Sequence, residues 1–243
     1  MKRDIRFNRE RMLIGAEYYA KHGITPQSAQ IRVEVALSTG LSIYDFDIKK
    51  RVKAATEKVI RDNDLFISRA MGLALMVEKD DAKGAAPLLP YPMIQTTATP
   101  TGLQGFTNAN ALALYNGLLS IKTDQSVNLS GFPAINFLRI PEYQPATIVN
   151  AAGTALVSNE VLPSFSYEDL LYELPEIIGF AGNHTHEIKL EAPVIPTLTF
   201  PVASGYTPKV VLLFEGWLFQ GGANEKYKTT PQDSFKNPWS DFI

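Results

Sequence analysis

The chain has 243 residues, a formal charge of −2, three histidines and no cysteine. That balance excludes the strongly basic class of nucleic-acid binder, and the lack of cysteine excludes disulfides, thiolate metal sites and cysteine nucleophiles. With 45% hydrophobic and 20% charged residues, the composition is that of a globular chain with material for a sizeable core, while no apolar run reaches the ~20 residues of a membrane span.

The charged start, MKRDIRFNRERM, lacks the apolar centre of a signal peptide, so synthesis in a cytoplasm without export is expected. From Asn8 to His22, Met12, Leu13, Ala16, Tyr19 and Ala20 fall at helical spacing, and Gly23 is a natural stop. Lys2, Arg3, Arg6, Arg9 and Arg11 outnumber Asp4 and Glu10 here. Such a basic excess faces nucleic acid or an anionic surface, or is a solvated helix face. After Pro26 the period changes to two. Ile31, Val33, Val35 and Leu37 alternate with polar neighbours, a half-buried strand. A turn at 38–40 and a second strand through Ile43, Tyr44, Phe46 and Ile48 predict a hairpin. Residues 49–61 are expected to form a short helix, and 65–77 an apolar strand led by Phe66 and Ile67.

Residues 80–105 hold four prolines and three glycines, the signature of a long irregular loop of the kind that packs against a neighbour or carries function. A short helix is predicted from Thr107 to Tyr115, ended by Gly117. Short apolar segments follow at 118–121, 127–129, 135–140, 147–149 and 154–157, each bounded by Pro or Gly, as in a sandwich or barrel. A helical turn is expected around 167–172, then strands at 188–190, 194–200 and 210–219, the last buried on both faces. The polar end of the chain carries Phe235, Trp239 and Phe242, which suggests docking rather than disorder.

The expected fold is therefore mainly β: a jelly-roll sandwich or barrel with a few short helices. About a dozen strands can be drawn, more than one eight-stranded roll holds, but a double roll would need roughly sixteen, so a single roll is favoured and a double roll is the alternative. The divisions expected are an N-terminal helical arm (1–28), a β body (29–222) and an extended tail (223–243) that docks on its own body or a neighbour.

One cluster has the look of chemistry. His184 and His186 are two apart and would share a face of a strand, where two imidazoles can hold one metal ion. With Glu191 the pattern is His-x-His-x4-Glu, preceded by Gly179, which resembles the first metal motif of the cupins. It departs from that motif in the glycine spacing, in Leu198 where a glycine closes the motif, and in having no later histidine. The alternative is a turn or a subunit contact. No Gly-x-Ser-x-Gly elbow and no phosphate-binding glycine loop occurs, and Glu173 and Glu176 form a glycosidase pair only if a cleft separates them suitably. Tyr91, Tyr143, Tyr206, Trp217 and Trp239 offer aromatic faces for a sugar, or belong to core and subunit interfaces. No enzyme activity and no cofactor are expected.

Several stretches resemble the jelly-roll major capsid proteins of small tailless icosahedral phages of the type found with Bacteroidetes hosts. They are residues 30–48 (QIRVEVALSTGLSIYDFDI), 62–77 (DNDLFISRAMGLALMV), Pro90-Tyr91-Pro92, 113–121 (ALYNGLLSI), 137–144 (FLRIPEYQ) and 210–219. The resemblance is one of style and order over about two thirds of the chain. It implies a structural protein of the virion with no active site. Its partners would be copies of itself (a homotrimer or other capsomer, then the shell), minor capsid proteins, and a packaged genome or internal membrane met by the N-terminal basic residues. Tyr91, Phe235, Trp239 and Phe242 are the expected interface residues. A carbohydrate-binding or host-attachment module, such as a spike or fibre domain, is the alternative.

Overall fold

The computed structural model describes residues 5–49, 57–58, 60–84, 86, 88–89, 109–139, 147–149, 155–157, 170–193, 200, 202, 204–227 and 239. Helix α1 (Ile5–Lys21) is followed by β1 (Gln27–Ala36), β2 (Ile43–Asp45), β3 (Leu65–Lys79), β4 (Leu118–Thr123), β5 (Ser126–Pro133), β6 (Thr147–Val149), β7 (Ala155–Val157), β8 (Tyr172–Ala181), β9 (His186–Glu191) and β10 (Tyr206–Phe219). Short 3-10 turns cover Ala109–Asn116, Ala134–Phe137 and Glu225–Tyr227. The class expected from the sequence is present. Two four-stranded antiparallel sheets, β1-β10-β3-β8 and β2-β9-β4-β5, pack face to face, with a separate ribbon β6-β7.

The pairing is nested. The first strand pairs with the last, β1 with β10; β2 pairs with β9, β3 with β8, and β4 with β5. This overturns the predicted hairpin of β1 and β2. The turn at Gly40 (φ +73) carries the chain from one sheet to the other. Alternation fixes which face of a strand is apolar but not which strand lies beside it, and so the period of two was right and the partner was not.

One core fills the space between the sheets, from Ile31, Val33, Phe66, Leu73, Leu75, Phe180, Leu212 and Phe214 on one side to Tyr44, Leu119, Ile121, Ile188 and Leu190 on the other. The β1 sheet is also covered on its outer face. At one end α1 lays Met12, Ala16 and Tyr19 against Leu65, Ile67, Ile177 and Phe219. At the other end Leu170 and the partly buried Leu88 and Leu171 cover Ala74, Met76, Val211 and Leu213. Burial on both faces accounts for the continuous apolar runs of β3 and β10. Helix α1 packs on the body, and β1 begins at Gln27, two residues inside the expected arm. The helix closes with Gly23 at φ +80; the Gly23 amide donates to Ala20 O (3.0 Å) and the Ile24 amide to Tyr19 O (3.0 Å), the paired bonds that end a helix on a left-handed glycine.

Three further expectations are corrected. Residues 135–137 form a 3-10 turn rather than a strand. No strand is predicted at residues 172–181, and they form strand β8 just after a 3-10 residue at Leu170. Pro175 masked it in the sequence, and the register of β8 on β3 shifts there, between Ser68 and Ala70, which is how a strand accommodates a proline. Residues 57, 58 and 60–61 carry no helix. Residues 50–56 and 59 of the predicted helix, most of the 80–105 loop and residues 194–199 of the strand expected at 194–200 lie outside the described residues; Lys49 is in a turn and Phe200 is outside any strand.

Candidate functional site

The histidine cluster does not lie on one strand face. His184 sits in the turn between β8 and β9, and only His186 is in β9. Along β9, His186, Ile188 and Leu190 face inward while Glu187 and Glu191 face out. Glu191 is five residues from His186 on the opposite face, about 16 Å along the strand, so the structure does not bring the three proposed ligands together. Among the described residues no group of three His, Asp or Glu side chains is placed to hold a metal ion.

The two histidines instead tie turns together. Asp124, at the tip of the β4-β5 hairpin, has φ +51, a conformation that Asp tolerates better than most residues. One of its carboxylate oxygens accepts the Thr185 amide at 2.9 Å and the other meets His184 Nδ1. The Thr185 amide and then the His184 ring hold the Asp124 carboxyl below the usual carboxylate range. His186 Nε2 lies 2.8 Å from Ala181 O and Nδ1 lies 3.1 Å from Thr123 Oγ1. A carbonyl only accepts, so Nε2 carries the proton and Nδ1 accepts from Thr123. Asn128 Nδ2 in turn donates to Thr123 Oγ1 at 2.8 Å. Burial beside Phe180 pushes the His186 pKa down, against the opposing pull of the Ala181 carbonyl. Both ring nitrogens are used, which leaves His186 no lone pair for a metal. Lys49 Nζ donates to Gly182 O and His184 O from below the same turn. The cluster is a clamp between the β4-β5 and β8-β9 turns.

A second polar cluster was not foreseen. Glu34 on β1 and Glu78 on β3 are buried, and Lys209 on β10 lies between them. Lys209 Nζ is 2.8 Å from Glu34 Oε2 and also bonds Glu78. Glu78 Oε1 accepts the Gly84 amide at 2.7 Å. Arg32 Nε stands 2.8 Å from Glu34 Oε1 but outside hydrogen-bonding alignment, so that contact is Coulombic. Burial opposes the charge on Lys209, but the two carboxylates outweigh it and raise its pKa above the usual value. In the sequence Glu34 occupies the polar phase of an alternating strand and reads as solvent-facing. It is buried because the outer face of this sheet is covered, which alternation does not report.

Of the expected interface residues, Trp239 is fully buried in its own chain. Its ring stacks on Tyr19 (centroids 5.6 Å apart) and meets Phe219 edge-on (4.8 Å). It is core rather than an exposed contact, because the apolar end of the β1 sheet needs a cover. Trp217 packs against the same cluster and Tyr206 against the inner core, so these three aromatics do not form an open sugar platform. Tyr91, Tyr143, Phe235, Phe242, Lys2 and Arg3 lie outside the described residues, as do the side chains of Arg6 and Arg9. Arg11 is partly buried on α1. Glu173 and Glu176 are exposed on β8.

The outer face of the second sheet is the open one. Ile43, Glu191, Leu118 and Pro133 stand side by side across its four strands, and Ile43, Leu118, Val127 and Ile135 are all exposed large hydrophobics. Asp45, Glu187, Lys189 and Lys122 share this face. Among the described residues no helix is long and apolar enough to cross a membrane. No family model, no curated protein and no solved structure matches the chain.

Proposed function

We propose that this chain is a shell-building protein: a single jelly roll whose copies assemble into an icosahedral viral capsid, with no catalytic role. The observation that carries the reading is the nested order of eight strands over two sheets. A long hairpin rolled into a sandwich gives that order, and the jelly roll is shared by capsid, lectin and cupin proteins. Two features favour the first of these. The cupin-like histidines are spent on turn contacts, and two of the aromatics that would serve a lectin pack into the cluster under α1. What remains on offer is surface. One sheet is covered at both ends of its outer face as well as on its inner face, and the other presents apolar residues among mixed charges, as a standard protein interface does.

On this reading the protein belongs to the virion and its partners are copies of itself in capsomers, with minor capsid proteins beside them. The basic start of the chain faces a packaged genome or an internal membrane. Sedimentation velocity of purified protein, over a range of salt and concentration, tests the reading. Species many times heavier than the 26.8 kDa chain are expected; a strict monomer under every condition would overturn it.

A further inference from the structure

We infer that the free edge of β1 is a two-fold interface, at which residues 28–32 pair antiparallel with the same residues of a second copy and join two β1 sheets into one. The inference supplies a contact for the assembly proposed above, although the pairing itself requires no shell.

The register decides which groups are free. β1 runs along β10 without a shift, from Gln27↔Leu218 to Ala36↔Lys209. The Leu37 amide continues the ladder by donating to Pro208 O at 2.9 Å, so odd-numbered residues bond β10. Even-numbered residues therefore turn their N–H and C=O to the outer edge. The Glu34 amide confirms the phase, since it donates to Glu57 Oε1 at 3.0 Å instead of to β10. Among the described residues nothing bonds the outward main-chain groups of Ser28, Gln30 and Arg32. Ser28 and Gln30 are exposed, and an open depression of about 310 Å³ lies over Ser28, Ala29, Gln30 and Glu215. The outer layer leaves this stretch uncovered.

The free window is symmetric, which is what selects a second copy as the occupant. Glu57 closes it at Glu34, and Pro26, with no N–H to offer, closes it at the other end. Its centre is Gln30. A two-fold axis there sets Ser28 opposite Arg32 of the copy, Gln30 opposite Gln30, and Arg32 opposite Ser28, which gives about six main-chain hydrogen bonds. Glu34 then falls opposite Pro26, where neither residue has an amide left to satisfy. On the inner face Ala29 meets Ile31, so the two cores abut. The window's one charge, Arg32, stays with Glu34 of its own chain and faces no like charge. The other sheet edges are worse templates. β2 has three residues, β5 has irregular register on β4, and β8 carries Pro175 and a bulge, devices that discourage pairing.

Sedimentation of the full chain with Gln30→Pro and Gln30→Lys tests the inference. Proline removes only an amide that the fold does not use, a position where edge strands tolerate it, while lysine sets two ammonium groups opposite each other. Wild-type protein is expected to form dimers or larger species, with self-association at least tenfold weaker in both variants and an unchanged circular dichroism spectrum. Amide exchange at Ser28, Gln30 and Arg32 in the unmodified protein needs no variant: it should be slow at high concentration and fast on dilution. Folded Gln30→Pro protein that associates as tightly as wild type, or exchange at these amides that is independent of concentration, would overturn the inference. Shells of normal yield from Gln30→Pro would overturn it while leaving the capsid reading intact. Variant-sensitive dimers that never build a particle would do the reverse.

Discussion

Gly15 and Trp239 form a pair whose coupling tests the packing of α1 and the C-terminal segment on the β1 sheet. A Cβ added at Gly15 would stand 2.3 Å from Trp239 Cε2 and 2.4 Å from Cζ2, well inside van der Waals contact. The ring has no easy retreat, since Tyr19 stacks on it and Phe219 meets it edge-on. Two effects therefore oppose each other in Gly15→Ala. Alanine in a helix interior gains about 1 kcal/mol over glycine. Expelling the tryptophan costs what removing it costs, about 3–5 kcal/mol for a buried Trp→Ala change. The net loss is about 2–4 kcal/mol, or a fall of roughly 5–15 °C in Tm for a chain of this size. In a Trp239→Ala background the clash is gone, and Gly15→Ala should instead raise Tm by about 2–4 °C. Thermal unfolding of the four proteins completes a double-mutant cycle with a change of sign. Gly15→Ala within half a kcal/mol of wild type, or additive effects in the double variant, would show that Trp239 does not sit over Gly15.

Acid should loosen the turn clamp through His186. Its pKa in the folded protein is below the ordinary 6.5, so under mildly acid conditions the unfolded chain binds the extra proton and stability falls as pH drops from 6.5 towards the folded value. For a single proton the slope has a ceiling of about 1.4 kcal/mol per pH unit. Denaturation of wild type and His186→Gln between about pH 7.5 and 5.5 should show this component in wild type alone, and equal slopes would refute it. Lys209→Met should cost about 3 kcal/mol, because it leaves Glu34 and Glu78 facing each other under cover. A variant as stable as wild type at pH 7 would mean that the cluster is solvated.

Class and strand positions were legible in the sequence because period-two alternation and Pro/Gly boundaries are local signals. Residues 31–37 show the alternation, the short apolar segments at 118–121 and 188–190 have turn residues around them, 210–219 is a continuous apolar run, and β3 follows from its aromatic and branched residues. Pairing was not legible. Ser38-Thr39-Gly40 has the chemistry of a hairpin turn, yet it leads from β1 to the opposite sheet, since the partner of β1 lies some 180 residues away in sequence. β8 was lost because a proline within a strand reads as a break until the bulge that absorbs it is seen. The histidine pair stands out in the sequence, but its partners Asp124 and Thr123 come from another hairpin. The sequence offers no signal for them beyond an acidic residue at a turn. Trp239 reads in the sequence as a docking or interface residue, and in the structure it packs on Tyr19 and Phe219 of its own chain.

The central claim is that copies of this chain build a closed shell, and negative-stain electron microscopy of the full chain after overexpression tests it most directly. The account predicts hollow, isometric particles of uniform diameter that co-sediment with the protein. A field of small, separate molecules at every salt and concentration, from protein shown to be folded, would contradict it.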